Sequence, residues 1–150
     1  MKDTPMYTHT QIGYVTGGVM AVTLPGVYFA YMAEYGTLGT SGVVILGLLG
    51  TLGVLFSTLT VTITRDELMF YFGPGFWTKR FPVDDIISVK TVRNSPLYGW
   101  GIRYTFHGWL YNVSGLRAVE LEIQGEGQIR IGTDEPEALK QALDDARVPA

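Results

Sequence analysis

The chain has 150 residues, which is enough for one ordinary domain or for a membrane anchor joined to a small domain. Its formal net charge of −3 offers no basic surface for a nucleic-acid partner. Because the sequence contains no cysteine, disulfides, thiol nucleophiles, iron–sulfur clusters and cysteine-based zinc sites are excluded.

Charged residues are distributed unevenly along the chain. Residues 11–33 and 35–64 contain no Asp, Glu, Lys or Arg, and Glu34 lies between them. A helix over Ile12–Ala33 would be roughly 33 Å long, which matches a hydrocarbon core of about 30 Å. We therefore predict a transmembrane helical hairpin followed by a water-facing domain. The predicted segments are a cytoplasmic tail at 1–10, transmembrane helices at 11–33 and 41–60, an external loop at 34–40 and a cytoplasmic domain at 61–150.

The alternatives to a membrane hairpin are a pair of helices buried in a soluble core, and a cleaved signal peptide in place of the first span. With a cleaved signal peptide, the second span would remain as an anchor. The predicted connector 34–40 lacks Lys and Arg, whereas Lys2, Arg65, Lys79 and Arg80 flank the spans. Under the positive-inside rule both termini are expected in the cytoplasm, with the protein crossing the cell membrane twice.

Small residues recur in both predicted helices and predict close helix–helix packing, with a dimer face as the alternative. These residues are Gly13, Gly17, Gly47, Gly50 and Gly53. Neither span contains an ionisable residue, although proton relays and ion-coupled carriers usually need one there. Transport by a single copy of the chain is therefore not expected.

After the second span the apolar period changes to two, which predicts a mainly-β domain. Predicted strands begin with Leu59–Thr64 and are followed by 68–72, 76–82, 86–92, 102–106, 109–111, 118–123 and 128–131. The chain then ends in an amphipathic helix with Leu139, Ala142, Leu143 and Ala146 on one face. Thr133 or Asp134 can cap this helix, and Asp134 and Glu137 have the spacing of a capping box at its start.

Strands that begin where a membrane hairpin ends, followed by one C-terminal helix, resemble bacterial pleckstrin-homology-like (PH-like) membrane proteins over about Leu59–Arg147. The segments that carry the resemblance are 62–68 (TITRDEL), 72–77 (FGPGFW), 81–86 (FPVDDI), 98–103 (YGWGIR), 108–112 (GWLYN) and 132–136 (GTDEP). The resemblance implies an antiparallel β-barrel of about seven strands that is capped by one C-terminal α-helix.

The resemblance also suggests where a lipid headgroup would bind. PH domains that bind phosphoinositides place several basic residues around the first loop between strands. The matching loop here, Arg65–Glu67, has one base and two acids, so phosphoinositide recognition is not expected. Trp77, Lys79 and Arg80 are instead the candidates for contact with the membrane interface, because an aromatic ring beside a cation is a familiar interfacial anchor. Ordinary strand packing with solvated charges explains the same residues.

The region 98–111 is strongly aromatic. The candidates for protein contact are Tyr98, Trp100, Trp109 and Tyr111, although most such rings are expected in the core or in cross-strand pairs. His9 and His107 fit no hydrolase motif, and Asp84 and Asp85 diverge in a predicted turn. We therefore predict no catalytic residue, no cofactor and no metal site.

These observations favour a non-enzymatic, membrane-anchored interaction or scaffold module, such as an accessory subunit of a larger membrane protein complex. Its expected partners are the lipid bilayer and a membrane protein or a second copy of the chain, with no nucleic acid. The alternative function is a peripheral PH-like domain that senses lipid headgroups.

Overall fold

The computed structural model describes residues 4–148, which form two β-sheets, a pair of long helices near the N-terminus and one C-terminal helix. The elements in chain order are β1 (Tyr7–Ile12), α1 (Tyr14–Tyr35), α2 (Gly39–Leu55), β2 (Thr58–Ile63), β3 (Glu67–Phe72), β4 (Trp77–Pro82), β5 (Ile86–Arg93), β6 (Gly101–Thr105), β7 (Gly108–Asn112), β8 (Arg117–Ile123), β9 (Gly127–Gly132) and α3 (Pro136–Arg147). Short 3₁₀ turns lie at Val83–Asp85 and Pro96–Tyr98.

The first sheet has the strand order β1-β2-β3-β4 and the second has the order β5-β8-β9-β7-β6. Alternating apolar residues form β2 and β3 of the first sheet, as the period of two predicts. Leu59, Val61 and Ile63 of β2 are buried, and the threonines between them point to the other face or pair across strands. The helix α3 covers one side of the core and buries Leu139 and Leu143 completely.

The predicted β-rich domain with one C-terminal helix is confirmed, but a closed antiparallel barrel is not seen in residues 4–148. The strands there divide into two separate sheets, and β7 pairs in parallel with β9 through Trp109↔Ile129 and Tyr111↔Ile131. The connection from β5 to β6 runs from one edge of the second sheet to the other. Such a crossover places a loop, residues 94–100, across the sheet and prevents a simple up-and-down order.

A strand, β1, begins within the segment 1–10 for which the sequence predicts only a cytoplasmic tail. β1 pairs antiparallel with β2, in a register that sets His9 opposite Val61 and Ile12 opposite Thr58. The hydroxyls of Thr10 and Thr60 lie 2.9 Å apart on neighbouring strands. The two long helices are therefore inserted between adjacent strands of one sheet.

The helix α1 has 22 residues, none of them buried, and α2 has 17 residues, of which only Gly42 is buried. Their apolar side chains face outward, so these helices are not the core of a water-soluble domain. By length and composition, α1 is suited to crossing a bilayer, whereas α2 is apolar but shorter. α1 lies within two or three residues of the predicted 11–33, whereas α2 ends at Leu55, five residues before the predicted end at 60, and Thr58–Thr60 belong to β2.

The C-terminal helix begins later than its capping-box pattern predicts. Its first residue is Pro136, and Glu135 at the cap position makes no side-chain capping hydrogen bond. Asp134 instead contacts His9 of β1, and the Thr133 hydroxyl accepts a hydrogen bond from the Glu135 amide at 3.0 Å. Proline is favourable in the first turn of a helix because the missing N–H would have no partner there.

Candidate interaction surfaces

The two helices leave the first sheet through a tightly closed junction, which we call the hairpin base (Ile12, Gly13, Phe56 and Ser57). The Gly13 amide donates to the Ser57 carbonyl at 2.7 Å. A Cβ atom on Gly13 would lie 2.9 Å from that carbonyl oxygen, so a larger residue would force the strands apart. The close contact between β1 and the residues after α2 therefore requires glycine at position 13.

The turn between β3 and β4 packs against the same junction. Gly73 has a φ of +48°, and a Cβ atom there would lie 2.6 Å from the Leu55 carbonyl oxygen. The ring of Phe56 lies 5.4 Å, centroid to centroid, from both Phe72 and Phe76. These contacts fix the helical hairpin to the domain, and their combination of aromatic rings with tight glycine turns leaves little freedom for a hinge.

Of the glycines predicted to mediate helix packing, Gly53 lies against Met20, with its Cβ position 2.9 Å from the Met20 Cγ. A Cβ on Gly17, Gly47 or Gly50 would meet nothing within 4 Å. Gly17 and Gly50 instead line an open groove of about 360 Å³ between the helices. The packing prediction therefore applies to one part of the helix pair only.

The candidate membrane-interface residues of β4 do not share one face. Trp77 and Lys79 lie on the side of the buried Phe81, and Arg80 points to the opposite side. The Lys79 ammonium lies 5.7 Å from the Phe81 ring centroid and 4.0 Å from a Glu126 carboxylate oxygen. Arg80 lies 3.7 Å from Glu67. Each cation therefore has a local partner, and the three residues do not form one lipid-binding cluster.

The candidate protein-contact residues are also separated by the fold. Tyr111 is only 2% exposed and packs on Phe70 with a centroid distance of 4.9 Å, so it belongs to the core. Burial raises the pKa of Tyr111, and the nearby Glu126 adds to the shift. The Trp100 indole N–H donates to the Gly115 carbonyl at 3.1 Å. With Arg103, Trp100 lines a groove of about 350 Å³ beside the two helices.

Of the remaining two candidates, Trp109 belongs to an exposed group of aromatic rings that the sequence predicts only in part, and Tyr98 lies beside this group with its hydroxyl 3.4 Å from His107 Nδ1. We call this group the aromatic tip, and it consists of Tyr104, Phe106 and Trp109 at the turn between β6 and β7. Phe106 is 99% exposed, Tyr104 75% and Trp109 43%. The rings of Tyr104 and Trp109 meet edge to face at 5.4 Å. The signal in the sequence is an alternating aromatic pattern that continues into a Gly-containing turn.

Sequence reasoning misses three arginines of the second sheet. Arg93 and Arg117 lie directly opposite each other in the register of β5 and β8, and Arg103 is the middle residue of β6 at the other edge of the sheet. Among residues 4–148, no carboxylate lies within 4.0 Å of any of the three. Arg103 and Arg117 both line cavities that include residues of α1, so positive charge accumulates where the helices leave the domain.

A buried ion pair anchors the loop that crosses the second sheet. Arg130 is 7% exposed, and its Nε and Nη2 atoms donate to one Glu120 carboxylate oxygen at 2.8 and 2.7 Å. Its Nη1 atom donates to the Asn94 side-chain oxygen at 3.2 Å. Asn94 is the first residue of that loop, so the pair connects β8 and β9 to the segment that carries Tyr98 and Trp100.

The N-terminal strand is connected to the start of α3 by side-chain contacts. His9 Nε2 lies 2.6 Å from Asp134 and His9 Nδ1 lies 3.4 Å from Glu135. Burial raises the pKa of Tyr7 on the same strand to about 12, and the negative charges of Glu135 and Asp134 add to the shift. These contacts make β1 an integral part of the domain.

The shift at Tyr7 predicts a specific alkaline destabilisation. The folded state holds the Tyr7 proton more tightly than the unfolded state, whose tyrosines titrate near about 10. As pH rises from about 10 to about 12, only the unfolded state loses this proton, so the free energy of unfolding falls. Between about pH 9 and about pH 11, we expect the free energy of unfolding to fall less in Tyr7→Phe than in the unmodified chain. Urea unfolding curves of the full-length chain in detergent measure this difference. Tyr104→Phe, at an exposed position, should leave the loss unchanged; equal behaviour of the two variants would contradict the expectation.

Within residues 4–148, no group of three or more His, Asp or Glu side chains is arranged to hold a metal ion. No protein-family model matches the chain, and no curated protein sequence is significantly similar to it.

Proposed function

We propose that the chain is a non-enzymatic, membrane-anchored interaction module that binds a protein partner through the aromatic tip. The observation that carries this proposal is the exposure of three aromatic side chains, two of them in edge-to-face contact, at the end of an edge hairpin. Large rings contribute much of the binding energy in protein interfaces, and exposing them is unfavourable in water. The tip lies at the opposite end of β6 from the residues that line the groove beside the helices.

The proposed topology has both helices crossing the bilayer, with the two termini on the same side. Support comes from β1 and β2, which are hydrogen-bonded neighbours, so the chain must return to the side from which α1 departs. If α1 were cleaved as a signal peptide, β1 would be removed with it, and β2 would lose its neighbouring strand. Arg103 and Arg117, which line cavities beside the start of α1, favour the cytoplasm for the domain, in keeping with the positive-inside rule.

The proposed relationship to PH-like domains is supported by the order of elements, in which strands follow the helical hairpin directly and one C-terminal helix covers the core. The parallel β7–β9 pair departs from an antiparallel barrel. We propose a variant of that architecture in which the crossover loop displaces β6 and β7 to a sheet edge, where their aromatic residues are available to a partner.

The proposal is tested by crosslinking the full-length chain in its native membrane, followed by detergent extraction and mass spectrometry of the crosslinked species. We expect Tyr104→Ser combined with Phe106→Ser to reduce a specific crosslinked partner by at least about tenfold, since interface hot spots contribute about 2 kcal/mol or more.

The matched control is Ile87→Ser, which removes an apolar side chain of 54% exposure from β5 at the opposite edge of the sheet. This variant should retain the partner. A chain that yields no crosslinked species, or that loses the partner equally in both variants, would contradict the assignment of the tip as the contact surface.

A further inference from the structure

An open groove of about 350 Å³ lies between the start of β6 and the pair of helices. Its helix side consists of Thr16, Met20, Leu52 and Phe56, and its domain side consists of residues 100–103, which are consecutive in the chain. Successive side chains of a strand point to opposite faces of the sheet, whereas the backbone edge of a strand brings consecutive residues to one side. The groove therefore follows the edge of β6 and not one face of the second sheet.

The edge of β6 that borders the groove has unpaired backbone groups. β6 is the outermost strand of the second sheet and pairs only with β7 among residues 4–148. No backbone–backbone hydrogen bond joins residues 101–105 to any other segment of that range. In an edge strand, alternate residues direct their N–H and C=O groups away from the sheet. The groove thus offers donors and acceptors to a further strand.

Two of the other three sheet edges carry features that oppose the addition of a strand. β4 contains Lys79, Arg80 and Pro82, and cations and proline are found on edges that resist pairing. β5 has a register shift near its start, and Arg147 of α3 donates to the Ile87 carbonyl at 2.8 Å. β6 has no proline or register shift and carries an exposed ring of the aromatic tip.

The surroundings of the groove define the side chains that an added strand needs. Met20, Leu52 and Phe56 form an apolar wall, which matches apolar side chains. Arg103, the one cation of β6, has no carboxylate within 4.0 Å among residues 4–148, so it matches an acidic residue. A lipid acyl chain would match the apolar wall but would leave the backbone groups of β6 unpaired. The groove therefore favours a peptide segment over a lipid.

We propose that the protein partner adds an extended segment to the edge of β6 within this groove, and that the segment continues along β6 to the aromatic tip. The segment has apolar side chains toward the helices and an acidic residue toward Arg103. This inference rests on the proposed function, because it names the part of the partner that the tip binds. Symmetric pairing of β6 with β6 of a second copy would place the two Arg103 side chains opposite each other, and like charges there oppose pairing. The occupant is therefore a different protein.

The first test narrows the groove from the helix side. Thr16→Trp adds a large ring to the groove and leaves β6 and the aromatic tip unchanged. We expect this variant to reduce the partner crosslinked in native membranes by at least about tenfold, because the added strand loses its place. The matched control is Gly17→Trp. Gly17 lines the separate groove between the helices, where its Cβ position meets nothing within 4 Å, so this variant should retain the partner.

The second test reverses the charge beside the added strand. Arg103→Glu should reduce the crosslinked partner by about tenfold, since it replaces attraction of an acidic residue by repulsion. Arg93→Glu makes the same change of charge in β5, at the opposite edge of the sheet, and should retain the partner. Equal behaviour of these two variants would contradict the acidic segment.

Hydrogen exchange measured by mass spectrometry identifies the class of the occupant. The amides of residues 101–105 should exchange at least about tenfold more slowly in the crosslinked complex than in the purified full-length chain in detergent. Unchanged exchange would contradict the addition of a strand. The same slowing in vesicles of phosphatidylethanolamine and phosphatidylglycerol, without another protein, would assign the groove to lipid and overturn the proposal. Crosslinks to a second copy alone would overturn it as well.

The two proposals fail in different ways. If Tyr104→Ser combined with Phe106→Ser releases the partner but Thr16→Trp retains it, the tip is the contact surface and the added strand is contradicted. If no partner is crosslinked to the unmodified chain, the proposed function is contradicted and the added strand with it.

Discussion

On the proposed topology, removing the helical hairpin is expected to leave a domain that is soluble without detergent. The Gly13 amide and the Ser57 carbonyl close the β1–β2 pair with a hydrogen bond of 2.7 Å, so residues 14–56 can be replaced by an Asn-Gly turn that joins the same two strands. A two-residue turn of that sequence has the twist that antiparallel strands need. The domain core lies in the two sheets and α3 and includes no residue of α1 or α2.

The measurement is fractionation of membranes after alkaline carbonate treatment. The full-length chain should stay in the pellet, and the variant should be soluble without detergent and keep the β-rich circular dichroism spectrum of the domain. Replacing Phe76 with Ser in the same variant should improve its solubility, because Phe56, one of its packing partners at 5.4 Å, is lost with the helices. Release of the full-length chain by carbonate would contradict membrane insertion.

The sequence predicts the strands with strong apolar alternation most accurately. In β3, Leu68, Phe70 and Phe72 are fully buried, and the residues between them are partly exposed. A run of this kind specifies both a strand and the face that it buries. The strand β1 lacks this signal because its inward positions are Tyr7, His9 and Gln11, which are polar or amphipathic. It forms because β2 offers an unpaired edge and because β1 gains side-chain partners from distant loops.

Which aromatic residues are exposed could not be predicted from local sequence. Trp109 and Tyr111 lie on the same face of β7, yet Trp109 is 43% exposed and Tyr111 only 2%. The difference depends on where the opposing sheet ends, and a local pattern contains no information about that. The same holds for Arg103 and Arg117, whose shared location near the helices follows from the crossover of residues 94–100.

The second large effect is expected at the buried ion pair of Glu120 and Arg130. Glu120→Ala should lower the free energy of unfolding by about 3–5 kcal/mol, because it leaves the Arg130 guanidinium buried without its carboxylate. Chemical denaturation of the full-length chain in detergent, followed by tryptophan fluorescence, measures the change. The control is Glu122→Gln on the same face of β8. Glu122 is exposed and accepts one hydrogen bond of 3.3 Å from Ser88, so this substitution should change the free energy of unfolding by no more than about 0.5 kcal/mol.

A double variant separates the cost of an unpaired charge from the value of the pair. Glu120→Leu combined with Arg130→Met removes both charges and keeps apolar volume, so it should recover most of the stability lost in Glu120→Ala. The Asn94 side chain loses its donor in this variant, and the loop 94–100 that begins there should become more accessible to proteases. If the double variant is as unstable as Glu120→Ala, the pair stabilises the fold directly; if it is stable but its loop is cleaved, the pair mainly positions the loop that carries Tyr98 and Trp100.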